Sequence, residues 1–276
     1  MDTTTPLPSL FVSHGSPMIA LQPGAAGAFL SRLGPAIDAT FGRPRAIVAL
    51  SAHTLARTPL VLAAARHEAV YDFGNFDPRL FTLRYDAPGA PELAARVAAS
   101  SGARLVAQGG LDHGIWTALR YLYPDADVPV VPLAWPPEAS PSALFELGRS
   151  LAPLAADGVL VIGTGSITHN LRRVFAQGMH DTGQPEIAES AAFRSWLHDR
   201  AASLEWDRLF DYRAQAPHAA DMHPSDEHLL PWYAAAGVGG RDVAPRRLHQ
   251  SVTFGALGMD AYAFGPGALA LDRALA

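Results

Sequence analysis

Histidine is the residue type that could do chemistry in this chain. Eleven histidines and no cysteine occur among 276 residues. Without thiolates, a transition-metal site must be built from imidazole and carboxylate, and neutral imidazole suits Zn, Fe, Cu and Ni. Three histidines follow apolar runs. Leu10-Phe11-Val12 leads to His14, Arg45-Ala46-Ile47-Val48-Ala49-Leu50 to His53, and Val159-Leu160-Val161-Ile162 to His169. Runs without alternation read as strands buried on both faces. In an open α/β sheet, ligands bind beyond the carboxyl ends of such strands. If the three strands are parallel neighbours, their loops open on one edge and the three imidazoles converge.

His113 and His228 sit where a loop enters a helix. His14, His53 and His228 can form one face of a metal site that keeps open positions for substrate or water. Asp226 and Glu227 flank His228, and a carboxylate there can orient a ligating ring. His223 lies in the same loop and competes with His228, and spacing gives no preference between them. His67, His180, His198, His218 and His249 lack a strand-end setting and read as surface or structural residues.

Other chemistries are less well supplied. Ser13 and Ser16 stand beside His14 without the glycine pattern of a nucleophile elbow. Gly163-Thr164-Gly165-Ser166 follows a strand, as anion-binding loops do. It lacks the lysine of a P-loop and reads as a tight turn, with Arg172-Arg173 the nearest basic residues. Trp116, Trp135, Trp196, Trp206 and Trp232 read as packing.

The elements that must position these residues follow from the patterning. Strands are expected at Leu10–Val12, Arg45–Leu50, Leu60–Ala63, Arg104–Val106, Val128–Leu133 and Val159–Ile162. Pro129 and Pro132 suit a strand end or an edge. Helices are expected at Ala25–Leu33, Pro91–Ser101, Ile115–Leu122, Ser140–Ala155 and Glu186–Ala202, with a short one ending near Gly237. Ser251–Tyr262 is expected to return as a strand. Tyr71 to Gly89 is a long aromatic loop, and loops of that length often carry function. Strand–helix alternation predicts an α/β fold: one domain over residues 1–276, with a central, mainly parallel or mixed sheet flanked by helices and the site at one end of the sheet.

Composition narrows the partners. Apolar residues make up 49% of the chain, charged residues 17%, and the formal charge is -5. No basic block is present, which argues against nucleic acid. The absence of cysteine excludes disulfides, thiolate zinc sites, iron–sulfur clusters and cysteine nucleophiles. No secretory signal and no apolar run long enough to span a membrane is visible. The expectation is a cytoplasmic enzyme of unspecified oligomeric state.

Seven motifs occur in order: Ser13-His14-Gly15-Ser16-Pro17, Ser51-Ala52-His53, Tyr71-Asp72-Phe73-Gly74-Asn75-Phe76, Tyr85-Asp86-Ala87-Pro88-Gly89, Asp112-His113-Gly114-Ile115-Trp116, Thr168-His169-Asn170-Leu171 and Glu227-His228-Leu229-Leu230-Pro231. Together they resemble the DOPA-dioxygenase type of class III extradiol ring-cleaving dioxygenases, from about residue 8 to about residue 262. The resemblance implies a mononuclear non-haem metal, Fe(II) for ring cleavage, with Zn(II) also found in relatives. It implies His14, His53 and His228 as metal ligands and His169 as a further active-site histidine at or just behind the metal. It implies His113 as the acid/base, and it favours His228 over His223. The implied reaction inserts O2 into a catechol and opens it to a muconic semialdehyde.

Two departures bear on the pocket. Thr54 follows His53 where relatives commonly carry tryptophan, which alters the pocket wall. The wider class uses two histidines and a carboxylate, whereas this type is all-histidine, so Glu227 is not counted as a ligand. Tyr71 and Phe73 are expected to line the substrate pocket with Thr54. Two rival readings use the same histidines: a zinc-dependent hydrolase or isomerase, and a non-catalytic protein that binds aromatic ligands.

Overall fold

The structure, a computed structural model, describes residues 6–176 and 183–276. His180 lies outside the described residues. In chain order the strands are β1 (Ser9–Ser13), β2 (Ala46–Ser51), β3 (Leu60–Leu62), β4 (Arg66–His67), β5 (Ala87–Pro88), β6 (Arg104–Val106), β7 (Val130–Ala134), β8 (Val159–Gly165), β9 (Arg246–His249), β10 (Val252–Thr253), β11 (Leu257–Gly258) and β12 (Ala261–Phe264). The helices are α1 (Gly24–Phe41), α2 (Pro91–Ser101), α3 (His113–Leu122), α4 (Pro141–Leu151), α5 (Leu171–Ala176), α6 (Ala188–Ala202), α7 (Trp206–Phe210), α8 (Tyr212–Gln215), α9 (Ala219–Met222), α10 (Leu230–Gly239) and α11 (Ala268–Leu275).

Eight strands form one mixed sheet in the order β6-β3-β7-β2-β8-β1-β12-β9. Its centre, β7-β2-β8-β1, is parallel. β3 and β12 join that centre antiparallel on either side. The apolar strands alternate between two cores, as side chains two residues apart share a face. Phe11, Val48, Leu50 and Val161 face α4, α6 and α10. Leu10, Val12, Ile47 and Ile162 face α1 and α3. Burial on both faces explains why the sequence runs carry no polar alternation. No helix among the described residues is long and apolar enough to cross a membrane.

Four expectations need correction. Pro132 lies in an inner strand, not an edge, and is tolerated because β3 pairs with β7 only at Leu133 and Ala134. α1 continues past Leu33 through Pro35 to Phe41. Gly34 belongs to that helix for close contact: a Cβ there would stand 2.0 Å from the Leu122 carbonyl oxygen of α3. The C-terminal strand is broken into β10, β11 and β12, after an unforeseen β9. Gly163-Thr164-Gly165 is not a tight turn but the end of β8.

That last correction has a packing cause. A Cβ on Gly163 would lie 2.2 Å from the Pro231 carbonyl oxygen, and one on Gly165 would lie 2.0 Å from that of His228. Both distances are far inside van der Waals contact. The two glycines let the entry to α10 lie directly against the strand. Ser166 N–H then donates to the His228 carbonyl at 2.9 Å, fixing that entry.

Candidate metal centre

β1, β8 and β2 are adjacent and parallel, and they end level: Ser13 stands opposite Gly165, and Ser51 opposite Thr164. Their loops therefore open on one edge. His14 follows β1 directly and its N–H donates to the Gly165 carbonyl at 2.9 Å. His53 follows β2 by two residues, and His169 follows β8 by four. His228 comes in from the other chain direction, on the segment that Gly163 and Gly165 admit.

Ligand nitrogens of His14, His53 and His228 lie within 4.8 Å of one another. The hydrogen bonds behind them indicate which nitrogens are free. Thr164 Oγ1 gives its one proton to the Gly114 carbonyl at 2.8 Å. It must then accept from His14 Nδ1, 2.8 Å away, so His14 Nε2 carries the lone pair. His14 Nε2 faces His53 Nε2 at 3.1 Å. His228 Nδ1 lies 3.2 Å from Glu227 Oε1, while its Nε2 is buried with no hydrogen-bond partner. A buried nitrogen without a partner is costly, and a cation among the three rings would satisfy it. The donor set therefore fits a transition metal bound by neutral imidazole.

Electrostatics keep these rings neutral. Burial, with the neighbouring imidazoles, holds His14 and His228 well below the usual histidine range. Burial, then repulsion from His113, pushes His53 down to about 4, against opposing pulls from Asp72 and Glu227. Burial and then His223 push His169 down to about 3. Neutral rings are the form that offers lone pairs to a metal.

His169 lies outside the three-nitrogen set. Its ring stacks on that of His228, with centroids 3.4 Å apart and planes 8° apart. His113 opens α3, and its ring centroid is 4.0 Å from that of His53. His223 is buried elsewhere, its Nε2 2.7 Å from the Ile167 carbonyl oxygen. Asp226 binds Tyr212 and Arg213 instead of His228. Thr54 Oγ1 donates to Asp112. Tyr71 uses its hydroxyl on the Leu83 carbonyl at 2.6 Å and packs on Phe73, Phe81 and Trp116. Phe73 meets the His113 ring edge-on at 5.6 Å. A cavity of about 320 Å³ borders His14, lined by Ser16, Met18, Gln22, Phe254 and Met259 among others, and does not reach His53, His113 or His228. Tyr71, Phe73 and Thr54 do not border it.

Two carboxylates escaped sequence reasoning. Asp112 is buried, which raises its pKa, and accepts from Ser51 Oγ at 2.7 Å and from Thr54. It also caps α3 by accepting from Ile115 N–H at 3.2 Å. One side chain thus joins the loop of His53 to the helix of His113. Asp72 accepts from the backbone N–H of His113 at 2.9 Å and lies 3.0 Å from its Nδ1. Burial would raise the Asp72 pKa, but the bonds from His113 prevail and lower it. Asp112 could have been found as the residue before His113 at a helix start, a typical N-cap position. Asp72 carries no such signal.

Residues 8–265 match the catalytic LigB subunit of aromatic ring-opening dioxygenase, and the chain belongs to that family of metal-dependent extradiol enzymes. Among its relatives is the 4,5-DOPA dioxygenase extradiol of Beta vulgaris. It is 34% identical over 263 residues, covering 93% of this chain and 96% of the relative. The protein of the same name from Escherichia coli K12 is 38% identical over 245 residues, covering 86% of each. A dioxygenase named tasH from Hapsidospora irregularis is 32% identical over 236 residues, covering 80% of this chain and 71% of the relative. A crystal structure of an uncharacterized E. coli K12 protein superposes with a TM-score of 0.74 at 28% identity. It covers 94% of this chain and 100% of the other.

Proposed function

We propose that this enzyme opens the ring of a catechol by extradiol insertion of O2, giving a muconic semialdehyde. His14, His53 and His228 hold a single Fe(II), His169 braces His228 at the edge of the metal's surroundings, and His113 handles protons. The observation that carries the reading is the meeting of three neutral imidazoles at one sheet edge, with the His228 Nε2 buried and unpartnered. Zn(II) fits the same donors.

When bound, Fe(II) supplies Lewis acidity toward the two ring hydroxyls and an electron path between ring and O2. The rest falls to the chain. A metal held by three histidines would keep coordination positions for the diol and O2. In this reading His113 takes a proton from a ring hydroxyl and returns it as the ring opens. The bond that breaks joins a hydroxyl-bearing carbon to its unsubstituted neighbour, and both atoms of O2 end in the product.

The test is oxygen uptake by protein loaded anaerobically with Fe(II), across a panel of catechols, with product spectra. Iron-dependent uptake and a yellow product are expected. No uptake with any catechol would sink the reading. Oxygen-independent hydrolysis by the Zn(II) form would favour the hydrolase instead.

A further inference from the structure

We infer that Asp72 is a positioning residue, which sets the tautomer and orientation of His113 from the aromatic loop. The inference rests on the ring-opening reading for the use made of His113, but the pairing itself stands on geometry.

Both oxygens of Asp72 lie 3.0 Å from His113 Nδ1, and Oδ1 also takes the His113 backbone N–H at 2.9 Å. An ionised carboxylate can only accept, so Nδ1 must carry the imidazole proton. The opposite nitrogen, Nε2, has no hydrogen bond among the described residues. It sits on a ring whose centroid is 4.0 Å from His53 and 5.4 Å from His14. The lone pair of Nε2 is the one left for a substrate proton. A carboxylate behind an imidazole is a recurrent means of fixing which nitrogen reacts, and it stabilises the ring once it has taken a proton.

The loop is built to hold Asp72 there. Val70 N–H donates to the Leu111 carbonyl at 2.7 Å, and Leu111 N–H to that of Glu68 at 2.9 Å. Trp116 of α3 donates its indole N–H to the Val70 carbonyl at 3.1 Å. On the far side Phe73 abuts the His113 ring. The loop is thus laced to α3 on both sides of Asp72, and the carboxylate has little freedom to leave His113.

A rival use exists, because oxygen and nitrogen atoms of Asp72, His53 and His113 also lie within 4.8 Å of one another. Two bonds from a single residue, one of them from its backbone, favour the hydrogen-bonding role over metal ligation. The two roles separate by experiment.

Asp72→Asn, Asp72→Glu and His113→Asn variants are compared with wild type by three readouts. Long-range 1H–15N correlation on histidine-labelled, Zn(II)-loaded protein reads the tautomer of His113, identified by the signals missing in His113→Asn. Metal content is measured per chain, and kcat and KM are measured with Fe(II). The expected result is an Nδ1–H tautomer in wild type and its loss in Asp72→Asn. Metal content stays unchanged and KM stays within threefold, while kcat falls about 10- to 1000-fold. Asp72→Glu restores part of that kcat. An Nε2–H tautomer in wild type, an unaltered tautomer and kcat in Asp72→Asn, or parallel loss of metal and activity would each overturn the inference. Should wild type take up no oxygen, the ring-opening reading fails while the tautomer measurement still decides the pairing.

Discussion

His14 and His53 face one another nitrogen to nitrogen, with Nε2 atoms 3.1 Å apart. Thr164 already holds the proton of His14 on the far nitrogen. The facing pair therefore has at most one proton between its two lone pairs. Such an arrangement invites a cation, and His228 brings a third free nitrogen to it.

Removing one of the pair should release the metal. His53→Ala is expected to lower Zn(II) or Fe(II) affinity by at least about 100-fold, since even supporting residues around a metal typically contribute 10- to 100-fold. Metal analysis after dialysis checks this. Unchanged content would remove His53 from the site.

Gly165→Ala should act on His228 without touching any imidazole. The added methyl would lie 2.0 Å from the His228 carbonyl oxygen, so the backbone there must move. A shift of an ångström is enough to spoil a metal site. Reduced metal stoichiometry in a protein that keeps its far-UV circular dichroism is the expected outcome. Full metal occupancy would show that the entry to α10 yields freely.

The ion pair beneath the C-terminal strands offers a stability test. Arg194 forks onto Asp260 at 2.7 and 2.8 Å, and Asp260 is fully buried. Arg194→Met leaves that carboxylate without its partner. Loss of one member of a buried pair costs about 3–5 kcal/mol, and a urea titration should register it. A cost under about 1 kcal/mol would mean that water replaces the pair.

Acid should unfold the metal-free protein in a defined window. Burial first, with the Arg213 charge nearby, outweighs the Ile167 carbonyl, Asp226 and Glu227 and leaves His223 neutral, its pKa pushed down to about 4 from 6.5. Between these values the unfolded chain binds more protons than the folded one, so stability is lost as pH falls from 6.5 toward 4. At about 1.4 kcal/mol per pH unit, His223 alone contributes about 3 kcal/mol across that window. His223→Gln keeps a donor toward the Ile167 carbonyl and should flatten the pH dependence of the urea midpoint by about one proton. An unaltered slope would place the acid sensitivity elsewhere, in His53 or His169.

What could be read from sequence follows a physical divide. His14, His53 and His169 were legible because β1, β2 and β8 are unbroken apolar runs, and a strand buried on both faces hardly admits another reading. Pro91–Ser101 and Arg104–Val106 were legible to the residue. The end of β8 was not, because glycine in a strand argues against it until the backbone of Pro231 and His228 is seen lying on it. Asp72 was hidden for another reason: its partner is 41 residues away, and a loop has no periodicity to point across that gap. The cavity beside His14 draws on residues near positions 16–26 and 253–259, which local pattern does not connect.

The position of β1 also has a consequence for biosynthesis. This N-terminal strand is not at the edge of the sheet but between β8 and β12. Its neighbours are made late, the second of them ending at Phe264. His14 is made long before Phe264, yet it gains its setting only once β8 and β12 have paired beside β1. Pairing between such distant segments is slow to form. A nascent fragment that stops short of His228 lacks one of the three imidazoles, so a metal can meet the full donor set only after that residue has been made.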